Sequence, residues 1–181
     1  MVFFDISFMK EVHISEFDIL KDKKGFIESL FHDGNLDVSF HYPSDFQKTQ
    51  LLRDIVDMIW EIVELDNKWR RRIVLIVDEL NNNAIEYGST QWDINKMRLI
   101  LSTSESISIK IEVEDSGKWN KSQNADNMRK LQDQKIKQWF NDYSSIRWRG
   151  LFMIILNLVD SLYFKDASSG WLVVWVEKKF S

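Results

Sequence analysis

The sequence predicts an α/β (α+β) two-layer sandwich, with helices covering one face of a mostly antiparallel sheet. Three observations predict it. Apolar residues alternate with a period of two through 36–42, 96–103 and 107–113, as half-buried strands require. They recur at spacings of three and four through 46–64 and 68–87, as helices with one apolar face require. The later strands come in pairs joined by turns at Ser104 to Ser106 and at Asp166 to Gly170, which favours hairpins packed under a helical layer.

Composition narrows the class further. A chain of 181 residues with 44% hydrophobic content can fill one core. It reads as an N-terminal extension of unknown role, residues 1–34, followed by one domain over 35–181. The absence of cysteine excludes disulfides and thiolate zinc sites, and His13, His32 and His41 are too scattered for a metal cluster. No apolar run reaches the ~20 residues of a membrane span, and acids interrupt the N-terminal MVFFDISFMKEV, so a soluble cytoplasmic protein with no membrane partner is expected. A net charge of −4 argues against nucleic acid as a partner.

In order along the chain, Val2, Phe4, Ile6 and Phe8 alternate as in a strand, Lys21 to Gly25 resembles a turn, and Phe26 to Phe31 suits a short helix. This segment could be an extra layer, an oligomer contact or a partner surface. Leu36, Val38, Phe40 and Tyr42 form a half-buried strand ended by Pro43, the only proline, with His41 on its surface. Ser44 or Asp45 caps the helix that follows, which runs to about Val63, and Asp66 caps the next. After the strand 107–113, Asp115 continues the inward parity, so it needs a partner in the protein or in a ligand. Residues 118–149 form a polar insertion with a helix expected around Asp126 to Phe140. From Ser116 to Arg149 eight Lys and Arg face three Asp, a net +5 that suits an anionic ligand as well as it suits a solvated loop. Gly150 opens an apolar helix over 150–160 whose N-terminal amides can hold an anion. A hairpin of SLYF and WLVVWVEKKF closes the chain.

The helix from Arg70 to Gly88 has an unusual middle. Ile73, Ile76, Val77, Leu80 and Ala84 make its apolar stripe, while Glu79, Asn82, Asn83 and Glu86 share a second face. Three successive asparagines, Asn81 to Asn83, weaken a helix, so something other than stability is expected to select them. A carboxylate and a carboxamide one turn apart, Glu79 and Asn83, can hold a hydrated Mg2+ and orient a hydroxyl; a solvated polar face is the alternative.

Three blocks in order resemble the GHKL (histidine-kinase-like) ATPase superfamily, and within it the bacterial anti-sigma-factor serine/threonine kinases. DELNNNAIEYG (78–88) is similar to the asparagine box, VEDSG (113–117) to the first glycine box, and RGLFMIILNLVDSLYF (149–164) to the second. The resemblance implies a mixed, mostly antiparallel sheet with an ATP-lid-like insertion. It implies that ATP and Mg2+ are cofactors, that Asn83 is the metal ligand, and that Glu79 is the base for a serine hydroxyl. It further implies that Asp115 accepts from the adenine amino group, that Gly117 lets the base approach, and that Gly150 and its helix, with Leu151, Arg147 and Arg149, hold phosphates. The partner implied is an anti-sigma-antagonist-like protein; a sigma factor and a homodimer stay open. Trp119 and Trp148 stand where the family commonly has glycines, and Trp171 or Leu172 where it has a threonine. The alternative function is therefore a non-catalytic protein-binding module of the same fold with a degenerate nucleotide site.

Overall fold

The computed structural model describes residues 9–116, 124–138, 157–167 and 171–180. The strands are β1 (Lys10–His13), β2 (Leu36–Pro43), β3 (Ile94–Ser102), β4 (Ser108–Glu114), β5 (Ser161–Asp166) and β6 (Leu172–Lys179). The helices are α1 (Ile14–Asp18), α2 (Lys23–Glu28), α3 (Phe46–Ile62), α4 (Asn67–Asn83), which continues into a π turn at Ala84–Gly88, and α5 (Ala125–Gln138).

The sheet runs in the order β1-β2-β3-β4-β6-β5. β1 lies parallel to β2 and every other neighbouring pair is antiparallel, so the sheet is mixed and mostly antiparallel, as expected. Alternation decides its two faces. Val38, Phe40 and Tyr42 of β2, Met97, Leu99 and Leu101 of β3, and Ile109, Ile111 and Val113 of β4 are buried. They share one core with Leu52, Ile55, Val56, Ile59 and Trp60 of α3 and Ile73, Ile76, Val77 and Leu80 of α4. Asp37, Arg98, Lys110 and Glu112, at intervening positions, carry charge on the other face. There Arg98 donates to both carboxylate oxygens of Asp37, at 2.9 and 2.7 Å, and stands 3.8 Å from Glu112.

Both long helices begin at an aspartate. Asp45, rather than Ser44, caps α3 by accepting from the Gln47 N–H at 2.9 Å, and Asp66 caps α4 by accepting from Lys68 and Trp69. The same chemistry corrects the turn expected at Lys21 to Gly25. Asp22 accepts from the Gly25 N–H at 2.8 Å, so the helix α2 starts at Lys23 and ends at Glu28. Val12, Ile14, Phe17, Ile27 and Leu30 belong to the same core as α3 and α4, and β1 forms one edge of the sheet. β3 starts two residues earlier than the alternation indicates, because Ile94 and Asn95 pair with Pro43 and Tyr42. The closing hairpin is present, with Asp166 paired to Leu172. The strand expected at residues 2–8 and most of the helix expected over 150–160 lie outside the described residues. Among the described residues no helix is long and apolar enough to cross a membrane.

Candidate functional site

At one end of the sheet the C-terminal ends of β2 and β4, the N-terminal ends of β3 and β6, and the π turn converge. Asp115, directly after β4, is 8% exposed. Its N–H donates to the Leu172 carbonyl at 3.2 Å, and one of its carboxylate oxygens accepts from the Leu172 N–H at 3.4 Å. The inward parity of the sequence is therefore real, and the carboxylate of this buried acid meets a main-chain donor. Gly88 ends the π turn against this carboxylate, so closely that a Cβ there would lie 2.2 Å from Asp115 Cγ.

A second buried acid locks the loop beyond. The Asp93 carboxylate accepts from the Thr90 N–H, the Thr90 hydroxyl and the Ser116 hydroxyl, each at 2.7 Å. The Asp93 carbonyl accepts from the Ser44 N–H at 2.8 Å, and the Ser89 hydroxyl bonds the side-chain oxygen of Asn95. Beneath them Tyr42 is fully buried, and among the described residues its hydroxyl has no hydrogen-bond partner. Burial first, and then the negative charge of Asp115, push that phenol well above its ordinary range.

On α4, Glu79 and Asn83 stand one turn apart and are both half-buried. Burial, and after it the charge of Asp78, raises the Glu79 carboxyl above its usual value, while Asp78 itself faces Arg53 at 3.4 Å. Asn82 is half-buried beside them, and among the described residues its sealed side-chain oxygen has no partner, whereas Glu86 is exposed. Asn81 turns the other way. It is fully buried in the core, donating its amide to the Val77 carbonyl at 2.7 Å and to the Met97 sulfur at 3.3 Å. The helix does not continue as one α-helix to Gly88, since its last five residues widen into the π turn. His41 is half-buried on β2, with its pKa lowered by burial, against which Glu11 at 3.8 Å acts in the opposite direction.

Residues 42–178 match the family of the histidine kinase-like ATPase domain. The chain belongs to that family. A solved structure with the same fold is the SiaB–SiaC complex from Pseudomonas aeruginosa, in which one chain is 10% identical, with a TM-score of 0.52, over 86% of this chain and 96% of that one. No curated protein matches the chain.

Within this histidine kinase-like ATPase domain, Asp115 sits at the end of the sheet where α4 gives way to the π turn, and Glu79 and Asn83 lie on the last turns of α4. Gly117, Arg147, Arg149, Gly150 and Leu151 lie outside the described residues, as do Trp119 and Trp148. The reading of the sequence overlooked Gly88 as a contact, along with Asp93, Ser116, Asn95 and Tyr42. A signal for Asp93 was present: Thr90 followed by an acid three residues on is the composition of a side-chain-closed turn. Tyr42 and Asn95 carried none, since both sit at ordinary strand positions.

Proposed function

We propose that the protein is an ATP-binding serine/threonine protein kinase and regulator of the anti-sigma-factor type, acting on a small antagonist protein. The observation that carries this reading is the half-buried Glu79, its carboxyl raised, one turn before Asn83. A carboxylate raised in this way is a better proton acceptor than an exposed one. The residues present fit the nucleotide and its metal. Asp115 is a buried acceptor in a cradle that a Cβ on Gly88 would fill, and the half-buried amide of Asn83 offers a hard oxygen. Among the described residues no group of three acids or histidines could hold a metal by itself, which suits Mg2+, an ion that takes one or two protein ligands and completes its shell with phosphates and water.

In this reading Asp115 accepts from the adenine amino group and Asn83 holds Mg2+. Bound Mg2+ supplies charge neutralisation on the phosphates. Glu79 takes the proton of the partner's serine hydroxyl as that oxygen bonds to the γ-phosphorus and ADP departs. The residues Gly117, Arg147, Arg149, Gly150 and Leu151 hold the base and phosphates by resemblance. The solved neighbour is itself a complex of two proteins, which agrees with a protein partner; a sigma factor and a second copy are further partners consistent with the resemblance. The cytoplasm is the compartment where such a regulator acts.

The test is calorimetric titration with Mg·ATP at low salt, followed by transfer of labelled phosphate to the cognate partner. Binding and a labelled serine are expected. A second reading, a non-catalytic binding module, is favoured by Trp119 and Trp148 standing in place of lid glycines. It takes over if ATP at millimolar concentration does not bind and Trp148→Gly does not restore binding. If the kinase reading holds, Trp148→Gly tightens ATP, and Arg147→Ala or Arg149→Ala loosens it.

A further inference from the structure

At the end of the sandwich opposite Asp115, the C-terminal end of α3 and the turns around residues 31–35 and 103–107 enclose a groove of about 500 Å3. Phe31, Ile62, Val63 and Ile107, all half-buried, line it, and the exposed Glu28 and Glu64 stand at its margin. Among the described residues neither carboxylate has a hydrogen bond or an ion pair, and no Lys or Arg lines the groove. Two more exposed acids lie in the flanking turns, Glu105 and Asp33, the latter 3.1 Å from His32 Nδ1. The exposed Lys179 of β6 lies opposite Ser108, and two further lysines are engaged elsewhere. Lys24 is 3.3 Å from Glu61, and the Lys10 ammonium donates to the Ser29 carbonyl at 2.8 Å. The groove thus joins an apolar surface to the carboxylates of Glu28 and Glu64 at its margin.

Glu64 is also an expensive residue at its position. It ends α3 in the left-handed region, with φ of 54°, while the Leu65 N–H donates to the Trp60 carbonyl at 3.1 Å. Glycine commonly fills this place because it has no Cβ to crowd the backbone. A carboxylate is present where local structure favours no side chain at all.

We infer that this groove docks a basic, apolar segment of a partner protein, its apolar side chains filling the groove and its Lys or Arg residues facing Glu28 and Glu64. The complementarity is of charge around an apolar centre, the arrangement by which amphipathic segments are recognised. β2 separates this groove from the Asp115 end by roughly 23 Å at ~3.3 Å per residue, so a segment bound here leaves the other end open. The inference does not depend on the kinase reading.

The test uses the full chain and a labelled synthetic peptide with Lys and Leu at helical spacing, beside a twin with Glu in place of Lys. Anisotropy measures binding, and amide exchange maps it. The basic peptide is expected to bind, to weaken as salt rises, and to protect the backbone at 28–34, 62–65 and 103–107, while the acidic twin does not bind. Glu64→Gly is expected to raise Tm by relieving the left-handed strain and yet to weaken the peptide, and with Glu28→Gln the loss reaches about fivefold. A residue acting only through the fold would not gain stability and lose binding together. Unchanged affinity in the double variant, or protection confined to another surface, overturns the proposal. So does a concentration-dependent dimer that Val63→Glu abolishes, which would make the groove a contact between copies of this chain.

Discussion

Gly88 and Asp115 touch with no room for a methyl group: a Cβ built on Gly88 would fall 2.2 Å from both Cγ and Oδ2 of the aspartate. The contact explains why the segment after Asn83 ends in a glycine rather than another helix former. The π turn brings main chain against the carboxylate, and the Ser116 hydroxyl, 3.3 Å from the Gly88 carbonyl, braces the same approach. Gly88→Ala should therefore displace Asp115. The expected outcome is a loss of about 1–3 kcal/mol in unfolding free energy, typical of overpacking, with at least a tenfold loss of ATP affinity. Thermal melts and calorimetry read the two separately. Full ATP affinity in a folded Gly88→Ala protein would show that the carboxylate's position does not govern the base site.

The raised carboxyl of Glu79 has opposite consequences for stability and for chemistry. Its folded-state pKa lies above the unfolded value, so whatever it contributes to stability is present at acid pH and lost as pH rises through the folded value. Above that value the charge costs the fold, and Glu79→Gln should melt slightly higher than the unaltered protein at neutral pH. A proton acceptor must be ionised, so the acidic limb of the transfer rate should sit above the ordinary 4.5. Asp78→Asn removes the second cause of the shift and should draw that limb down. An unmoved limb would dissociate the pH profile from Glu79.

Glu79 and Asn83 should also separate chemistry from binding. Glu79→Gln is expected to keep Mg·ATP affinity within a few fold and to abolish transfer, whereas Asn83→Ala weakens binding that depends on Mg2+. Phosphate transfer and titrations with and without Mg2+ measure this. Undiminished transfer by Glu79→Gln would remove the base.

Asp115 should discriminate between bases. Losing a charged acceptor costs about 1.5–3 kcal/mol, so Asp115→Asn should weaken ATP roughly ten- to a hundredfold and reduce its preference over GTP. Competition between the two nucleotides decides it. Equal binding of ATP and GTP by the unaltered protein contradicts the assignment.

What the sequence made legible follows from period and capping. Alternation in β2, β3 and β4 and the three-four spacing of α3 and α4 each report one buried face, and that face is the core the structure shows. Asp115 was legible because its parity put a charge on that face. Gly88 was not, since its neighbour is 27 residues away in sequence and a glycine at a helix end already has a local explanation. The π turn was equally hidden, because a single extra residue per turn leaves no mark in an apolar stripe that is about to end.

Asn81 shows where composition misleads, and it carries the last prediction. Three asparagines in a row suggest selection for something other than stability, yet Asn81 is fully buried, and among the described residues its side-chain oxygen has no partner. Its amide meets the Val77 carbonyl, an acceptor that a helix backbone already serves, and the Met97 sulfur, a weak acceptor. Sealing an amide oxygen in an apolar site costs about 1–3 kcal/mol, only partly offset by such bonds. Asn81→Leu, alike in branching and free of polar atoms, should then raise unfolding free energy by about 1 kcal/mol where the core admits its larger methyl groups, and leave Mg·ATP affinity unchanged. Chemical denaturation and the same calorimetric titration measure both. If Asn81→Leu stabilises the fold but abolishes nucleotide binding, Asn81 belongs with Asn83 in the site, and the buried amide is retained for the geometry it gives the last turns of α4.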